Sequence, residues 1–303
     1  MKKQYFCNPL NMDYRYQFIQ DMRSGEDKIS REAADPSMIL FQGKYYIFAS
    51  MTLSVWVSED MVHWESHRLP DSLPLYDYAP DVRVVGDYVY FSASRRGTIC
   101  DFYRTKDILN GPFERIPGTF DFWDPNLFLD DDGKCYISFW DFVADETSYG
   151  GIRIAVSDGE PYEDWYVLPE FAVTCNVGMG VATVKGKDGC EHIVGAADPS
   201  NIWKKDGKYY MQTGNLIVLD RYSRGENPPE DLRGDWADLF SSDDLRSWNY
   251  EGRFYDREKC LHTADSEDCM CPSFLPLPSA QGGGADSGKY LQLFIAHNRG
   301  CQY

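Results

Sequence analysis

The sequence predicts an all-β protein, a five-bladed β-propeller, from a repeated phrase, a second recurring element and the composition. Four segments carry an acidic residue beside a proline, an apolar run, and then a glycine followed by a strand rich in Lys or Tyr; a fifth copy is looser. Short strands that repeat at a period of about 40–70 residues are typical of a propeller. The copies begin at Asp35-Pro36, Pro80-Asp81, Asp124-Pro125, Asp198-Pro199 and Cys271-Pro272.

Each copy predicts a β-hairpin at the start of a blade. In the first copy, the apolar run 38–41 and the aromatic run 45–48 flank Gln42-Gly43. Two such runs around a short turn that contains glycine are a hairpin signal. The same reasoning makes the turn 130–133 and Asp206-Gly207 hairpin turns, because Asp and Gly tolerate the backbone angles that tight turns need.

A second element predicts the outer part of each blade. It consists of a strand, a polar turn and a tryptophan at a fixed offset, which we interpret as packing between blades. The copies are Trp56–Asp60 with Trp64, Phe240–Asp244 with Trp248, and a weaker version from Ala155–Asp158 to Trp165.

Composition supports a folded β protein and limits its partners. The 303 residues are 43% hydrophobic and 15% aromatic, and 21 Tyr with 8 Trp favour strands. No apolar stretch reaches the roughly 18 residues of a membrane span, and the N-terminal residues do not predict a signal peptide. We therefore expect a cytoplasmic protein, unless a leader has been removed. The net charge of −18 argues against nucleic acid and anionic membranes and favours a neutral ligand such as a sugar.

Cysteines and metal ligands give little further chemistry. Nine scattered cysteines are an odd number and predict reduced thiols rather than a disulfide framework. The spacing in Cys269-Met270-Cys271 is too tight for a usual zinc site. No cofactor is expected; a structural calcium ion is conceivable among clustered carboxylates, but no ligand loop indicates one.

The Asp-Pro copies carry a resemblance to a known family. Residues from about 31 to 140, through the motifs 34–37, 78–81 and 124–134, resemble glycoside hydrolase family 43, which contains β-xylosidases, α-L-arabinofuranosidases and arabinanases on a five-bladed propeller. Residues from about 172 to 303, through the motifs 197–203, 242–248 and 270–277, resemble instead the related family 32, the β-fructofuranosidases and levanases. Both families share the propeller and the placement of three carboxylates, so the fold prediction is the same for both.

Carboxylates at the start of inner strands predict a hydrolytic site. The first strand of each blade lines the channel of a propeller, so acidic residues that open these strands are expected to converge. Glycoside hydrolysis needs an acid for the leaving oxygen and a carboxylate that activates water or attacks the sugar. A third carboxylate can keep the acid protonated.

The resemblance implies roles for individual residues. Family 43 implies that Asp35 is the general base and that Asp124 tunes and orients the acid. The general acid of that family is a Glu at the position where this chain has Asp198. Family 32 implies instead that Asp198 stabilises the transition state and that the acid lies at the position of Met270. In that case Glu267, three residues upstream, is the candidate acid.

Four further residues are candidates for substrate binding. Arg83 and Asp81 could contact sugar hydroxyls, but a salt bridge is the alternative for Arg83. Trp123 and Trp140 flank the Asp124 hairpin and could form a platform for a sugar ring, with packing as the alternative.

Domain organisation is predicted as one domain over residues 1–303. A join of two unrelated fragments near 140–170 is an alternative, because the two halves resemble different families. The last predicted strand ends close to Tyr303, so either residues before Arg31 complete the last blade or the chain is truncated.

The predicted function is hydrolysis of pentose-containing oligosaccharides or polysaccharides by carboxylate acid–base catalysis. A fructofuranosidase-like hydrolase, a carbohydrate-binding propeller without catalysis and a non-functional fused fragment are the alternatives. The departure from the family 43 pattern at Asp198 motivates the non-catalytic alternative.

Overall fold

Antiparallel β-sheets make up the computed structural model of this chain, which divides into two units, Met1–Asp121 and Phe122–Tyr303. The structure describes residues 10, 12, 17–20, 27–30, 33–50, 52, 54–70, 73, 78–94, 101–116, 122–144, 149–157, 164–178, 180–199, 201–214, 237–255, 268–278, 286–298 and 301–302.

The first unit contains a hairpin and two four-stranded sheets whose strands pair in chain order. The hairpin consists of β1 (Gln17–Gln20) and β2 (Asp27–Ser30). The first blade consists of β3 (Ala34–Phe41), β4 (Lys44–Ser50), β5 (Ser54–Ser58) and β6 (Glu65–Arg68). The second blade consists of β7 (Tyr78–Val85), β8 (Tyr88–Ser94), β9 (Phe102–Thr105) and β10 (Glu114–Ile116).

The second unit contains two further blades, a hairpin and a three-stranded sheet. The third blade consists of β11 (Trp123–Leu129), β12 (Cys135–Ala144), β13 (Tyr149–Ser157) and β14 (Trp165–Thr174). The hairpin consists of β15 (Val181–Lys185) and β16 (Glu191–Gly195). The fourth blade consists of β17 (Ala197–Pro199), β18 (Trp203–Lys205), β19 (Lys208–Gly214), β20 (Ala237–Ser242) and β21 (Trp248–Tyr255). The last sheet consists of β22 (Asp268–Pro278), β23 (Asp286–Asn298) and β24 (Cys301–Gln302).

The predicted hairpins are confirmed, with four blades among the described residues. Gln42 and Gly43 have φ of 49° and 81°, and Asp206 and Gly207 have 52° and 77°, as type I′ hairpin turns require. The fifth copy also forms a hairpin, β22 with β23, although a fifth complete blade stays a prediction. The division between the two units falls at 121/122, and a join of two fragments near 140–170 stays a prediction. A single domain over 1–303 stays a prediction.

Each unit has its own hydrophobic core. In the first unit, Phe48, Val55 and Phe91 are buried between the first two blades. In the second unit, the core includes residues of the β15–β16 hairpin as well as of both blades, for example Val194 and Met211. Fully burying such a side chain stabilises the fold by about 1.5–3 kcal/mol. The apolar runs of the repeated phrase therefore supply the packing that holds adjacent blades together.

The polar turn of the outer element is a hydrogen-bonded cap. The hydroxyl of Ser58 accepts hydrogen bonds from the backbone N–H groups of Asp60 and Met61, while Asp60 Oδ1 accepts those of the next two residues. Ser242 and Asp244 form the same set of bonds. Such side chains satisfy donors that the turn leaves without a ladder partner.

A related turn follows β9 and was missed by the sequence analysis. Thr105 takes the place of the serine and accepts the N–H of Asp107, whose Oδ1 accepts those of Leu109 and Asn110. No tryptophan follows it, so the serine–tryptophan pattern does not detect it. Of the tryptophans at the fixed offset, Trp64 is buried and Trp248 packs partly buried against the core of the second unit, whereas packing between blades stays a prediction.

Asp130 joins the third and fourth blades. Its buried carboxylate accepts hydrogen bonds from Lys204 Nζ at 2.8 Å and from the Tyr209 hydroxyl at 2.6 Å. Burial alone would raise the pKa of Asp130, but these hydrogen bonds hold the pKa below its ordinary value. The predicted turn role of residues 130–133 is confirmed, and Asp130 has this second role that the local pattern did not indicate.

No helix with the length and hydrophobicity of a membrane span occurs among the residues that the structure describes. Within the same residues, Cys175 is buried and Cys190 is exposed, and neither forms a disulfide.

We predict that Ser242→Ala lowers the free energy of unfolding by about 1–2 kcal/mol, because two backbone N–H groups lose their acceptor. Urea unfolding of the variant measures this loss. Asp243→Ala is the matched control in the same turn; its side chain is exposed, so its effect is expected to stay within about 0.5 kcal/mol. Equal losses in the two variants would contradict the capping role.

We predict that Asp130 makes stability depend on pH. Because the folded-state pKa lies below the ordinary value near 4, the stabilisation is complete above that value and is lost as the pH falls through the folded pKa. Asp130→Asn should lower the free energy of unfolding by about 1–3 kcal/mol at pH 7 and less at pH 3. Urea unfolding at both values tests this, with the exposed Asp131→Asn as control. An equal loss at both values would refute the ion-pair explanation.

Candidate active site

The inner strands of all four described blades begin with the same backbone conformation. The residue before the proline has a φ in the left-handed region: 49° for Asp35, 49° for Ala79, 50° for Asp124 and 43° for Asp198. This conformation is uncommon for residues other than glycine and costs on the order of 1–3 kcal/mol. Strained residues of this kind cluster at functional sites, so the starts of these strands are candidate site positions.

A β-bulge accompanies each left-handed residue. In the first blade, Ala34 pairs with Ser50 and Ser37 pairs with Phe48, so two residues of β3 lie opposite one residue of β4. The other three inner strands shift register at the same place. Proline has no N–H for the ladder, and a bulge re-aims the side chain of the residue that leaves the ladder. Asp35 is therefore directed by the bulge rather than by strand pairing.

The register of β7 with β8 corrects how the second copy of the repeated phrase aligns with the first. Ala79, not Asp81, occupies the left-handed position there, because the acidic residue follows the proline instead of preceding it. Asp81 is equivalent in register to Ser37 and Asn126. The second blade thus contributes no carboxylate at the left-handed position before the proline.

Asp81 and Arg83 form an ion pair with each other. Asp81 Oδ1 lies 2.6 Å from Arg83 Nη2, and the Asp81 side chain is 3% exposed. Arg83 also donates hydrogen bonds to the Ser37 hydroxyl and to the carbonyl of Val82. These contacts favour the salt-bridge alternative over direct contact with a sugar, and a role in substrate binding stays a prediction.

Asp35 is held by a hydrogen bond from the opposite strand. The Ser50 hydroxyl donates to Asp35 Oδ2, and the same hydroxyl accepts the backbone N–H of Ala79 at 2.6 Å. Ser50 is fully buried. The first carboxylate is thereby linked to the start of the second inner strand.

Asp124 and Asp198 begin neighbouring inner strands of the second unit. The side-chain amide of Asn126 donates to the carbonyl of Asp124 at 3.2 Å and to the carbonyl of Pro199. One side chain therefore ties the starts of β11 and β17 together. Asp198 is 8% exposed, so its carboxylate lies in a protected environment.

The two candidate tryptophans face each other across the β11–β12 pair. Trp123 pairs with Trp140 in register, and both pack with Ala197. Trp140 is buried, which favours packing for this residue, whereas Trp123 is partly exposed. A sugar platform at either residue stays a prediction.

A polar side chain that the sequence patterns did not indicate follows each Asp-Pro pair. Ser37 exchanges hydrogen bonds with the backbone of Val82, and Asn201 does the same with Phe274. With Asn126, these residues join each inner strand to the next one within its unit. A Ser or Asn two or three residues after the aspartate of the Asp-Pro pair is the signal that would have identified them.

Glu267 lies outside the described residues, and its role as the acid stays a prediction. The backbone of Met270 pairs with Ile295, and a register shift precedes Ser273, as in the other inner strands. By this register Cys271 is the residue before the proline, so the fifth copy carries no carboxylate at the position that Asp35 occupies in the first.

The second unit also contains a cavity whose lining does not include the predicted catalytic residues. This cavity, of about 570 Å³, lies between the turn of the β15–β16 hairpin and β21, and its lining includes the paired charges of Lys187 and Glu251 and of Asp188 and His192. Within the described part of the chain, no group of three or more His, Cys, Asp or Glu residues could hold a metal ion.

Comparison with known proteins identifies the fold. Residues 29–158 match the model of glycosyl hydrolases family 43. An endo-arabinase from Bacteroides thetaiotaomicron is similar in structure, with 16% identity, a TM-score of 0.58, and coverage of 90% of this chain and 93% of the arabinase. An endo-1,4-β-xylanase from the same organism has 19% identity, a TM-score of 0.57, and coverage of 88% of this chain and 84% of the xylanase.

A third solved structure agrees with these two. A family 43 arabinoxylan arabinofuranohydrolase from Bacillus subtilis, in complex with cellotetraose, has 15% identity and a TM-score of 0.55; the match covers 87% of this chain and 58% of the hydrolase. No curated protein matches the chain by sequence. The resemblance of the second half to family 32 stays a prediction. The matching family and these structures are glycoside hydrolases, and the chain has their β-propeller fold.

We predict that Ala79→Gly stabilises the protein by up to about 1 kcal/mol, because glycine removes the left-handed strain at a cost of only 0.5–1 kcal/mol in chain entropy. Thermal and urea unfolding measure the change. Ala93→Gly is the matched control, since Ala93 is also buried but lies within β8 with no left-handed φ; this variant should be destabilised. Destabilisation of both variants to the same extent would show that position 79 is not strained.

Proposed function

We propose that this protein hydrolyses glycosidic bonds in pentose-containing oligosaccharides or polysaccharides. The observation that carries the proposal is the recurrence of a left-handed aspartate before proline at Asp35, Asp124 and Asp198, with Ala79 alone replacing it in the second blade. The family 43 match over residues 29–158 supports it, because that match includes the first two of these aspartates.

The proposed chemistry divides the work among three carboxylates. Asp35 is the general base, which takes a proton from water as the water oxygen attacks the anomeric carbon. Asp198 is the general acid, which gives its proton to the leaving oxygen as the glycosidic bond breaks. Asp124 orients the acid and disfavours its ionisation through like charge. The side chain of Asp198 is one methylene shorter than the Glu that the resemblance to family 43 implies at this position.

The substrate class rests on the matched structures. Two of them are named as an endo-arabinase and an endo-1,4-β-xylanase, so arabinose- and xylose-containing glycans are the first substrates to test. The net charge of −18 is compatible with a neutral glycan. We also propose that β22–β24 belong to a fifth blade, because their register repeats that of the other inner strands.

A sugar-binding propeller without catalysis is the second candidate. The observation that favours it is the Asp at position 198, where the resemblance to family 43 calls for Glu. A β-fructofuranosidase is the alternative within the hydrolases, supported by the family 32 resemblance of the second half.

We predict that the purified protein hydrolyses an aryl β-xyloside or an aryl α-arabinofuranoside, and that Asp35→Asn lowers kcat by about 10²–10⁴-fold because the base is removed. Release of the aryl group and NMR of the first anomer formed measure rate and stereochemistry. Inversion is the expected outcome for a base that activates water.

Controls separate the alternatives. Asp131→Asn removes an exposed carboxylate from the β11–β12 turn and should leave kcat unchanged. Release of fructose from sucrose or levan would replace the pentosidase proposal with the fructofuranosidase alternative. Sugar binding by calorimetry without turnover of any substrate would replace it with the non-catalytic binder.

A further inference from the structure

A buried hydroxyl holds the carboxylate that we assign as the base. We propose that Ser50 is a positioning residue for Asp35, an inference that rests on the proposed function. Ser50 lies at the end of β4, directly opposite Ala34, and its side chain is fully buried. Its hydroxyl contacts Asp35 on one side and the backbone of Ala79 on the other.

The direction of both hydrogen bonds follows from the chemistry of the groups. A backbone N–H can only donate, so the Ser50 oxygen accepts the bond from Ala79 N at 2.6 Å. The single hydroxyl hydrogen is then directed to Asp35 Oδ2. A hydroxyl that donates to an ionised carboxylate makes a charge-assisted bond, roughly twice as strong as a neutral one. Ser50 therefore fixes the orientation of the Asp35 carboxylate relative to the start of the second inner strand.

The bulge makes such a support necessary. Asp35 lies in the register shift between Ala34 and Ser37, so the regular strand ladder does not fix its orientation. Ser50 is itself anchored by the start of the second inner strand, which links the carboxylate to a second blade. A displacement near 1 Å at a reacting group can cost about 10²-fold in rate, so this link has a direct kinetic consequence.

The same position in other blades shows that the fold does not require a hydroxyl there. Trp140 stands opposite Trp123, and Gly214 stands opposite Ala197, in the register that Ser50 has opposite Ala34. A Cβ added to Gly214 would lie 3.4 Å from the Cβ of Asp198, so this position is next to the carboxylate in the fourth blade as well. Hydroxyl, indole and hydrogen thus occupy one structural position beside three aspartates, and among these three the hydroxyl accompanies the proposed base. In the second blade a serine, Ser94, also stands at this position, opposite Tyr78.

Ser58 provides a matched control in the same blade. It is also buried, donates to the carboxylate of Asp60 and accepts backbone N–H groups, including that of Met61 at 2.8 Å. Ser58→Ala therefore removes the same kinds of bond as Ser50→Ala, but at the turn after β5 rather than at Asp35. Loss of stability should be similar in the two variants, and only Ser50→Ala should affect the reaction.

The experiment compares kcat, KM and the melting temperature of the wild type, Ser50→Ala, Ser50→Cys and Ser58→Ala on the pentoside that the wild type hydrolyses. We expect Ser50→Ala to lower kcat by about 10–100-fold with KM changed less than about threefold, and Ser58→Ala to keep kcat within about twofold. Ser50→Cys preserves the shape of the side chain with a weaker donor, so its kcat should lie between those of Ser50→Ala and the wild type. It also tests the inference if Ser50→Ala does not fold.

The outcomes distinguish the two proposals. Wild-type kcat in both Ser50 variants, with Asp35→Asn inactive, would overturn the role of Ser50 and leave the hydrolase proposal standing. Equal loss of kcat in Ser50→Ala and Ser58→Ala would assign the effect to stability and would also overturn it. Absence of turnover by the folded wild type on every substrate would overturn the hydrolase proposal, and with it the positioning role.

Discussion

Neighbouring inner strands are joined by hydrogen bonds from polar side chains to backbone, and the arrangement of the candidate site depends on this constraint. The blades pair their own strands in separate ladders, so another contact has to join one inner strand to the next. Ser37 joins β3 to β7, Asn126 joins β11 to β17, and Asn201 binds the backbone of β22. Each of these residues follows the aspartate of an Asp-Pro pair by two or three positions. The segment that joins the strands therefore also carries the carboxylate.

The left-handed residue before the proline separates a structural requirement from a chemical one. Ala79 adopts the same φ as Asp35, so the backbone conformation does not depend on a carboxylate. The fold imposes the strained geometry on all four described inner strands, yet three of them carry Asp. The four inner strands share a costly conformation, and three of them carry a reactive group at it. This pattern is expected when a scaffold presents functional side chains at repeated positions.

Identical backbone positions acquire different environments through the neighbouring strand. Ser50 contributes a hydroxyl beside Asp35, whereas the equivalent positions in the third and fourth blades hold Trp140 and Gly214. Carboxylates in acid–base catalysis need different proton affinities, and enzymes obtain the difference from burial, charge and hydrogen bonds around otherwise similar groups. A repeat protein can assign distinct roles to equivalent aspartates in this way without changing its fold.

The sequence by itself determined the hairpins, their turns and the recurrence of aspartate before proline at Asp35, Asp124 and Asp198, because each of these signals lies within a few consecutive residues. Only the tertiary structure decided that Ala79 rather than the neighbouring acid fills the second position, since a one-residue bulge sets that register. It also decided that Ser50 binds the carboxylate of Asp35. The tertiary structure likewise decided that Asp130 of the third blade pairs with Lys204 and Tyr209 of the fourth blade. These contacts depend on how distant strands pack, and local residue patterns contain no record of the partner.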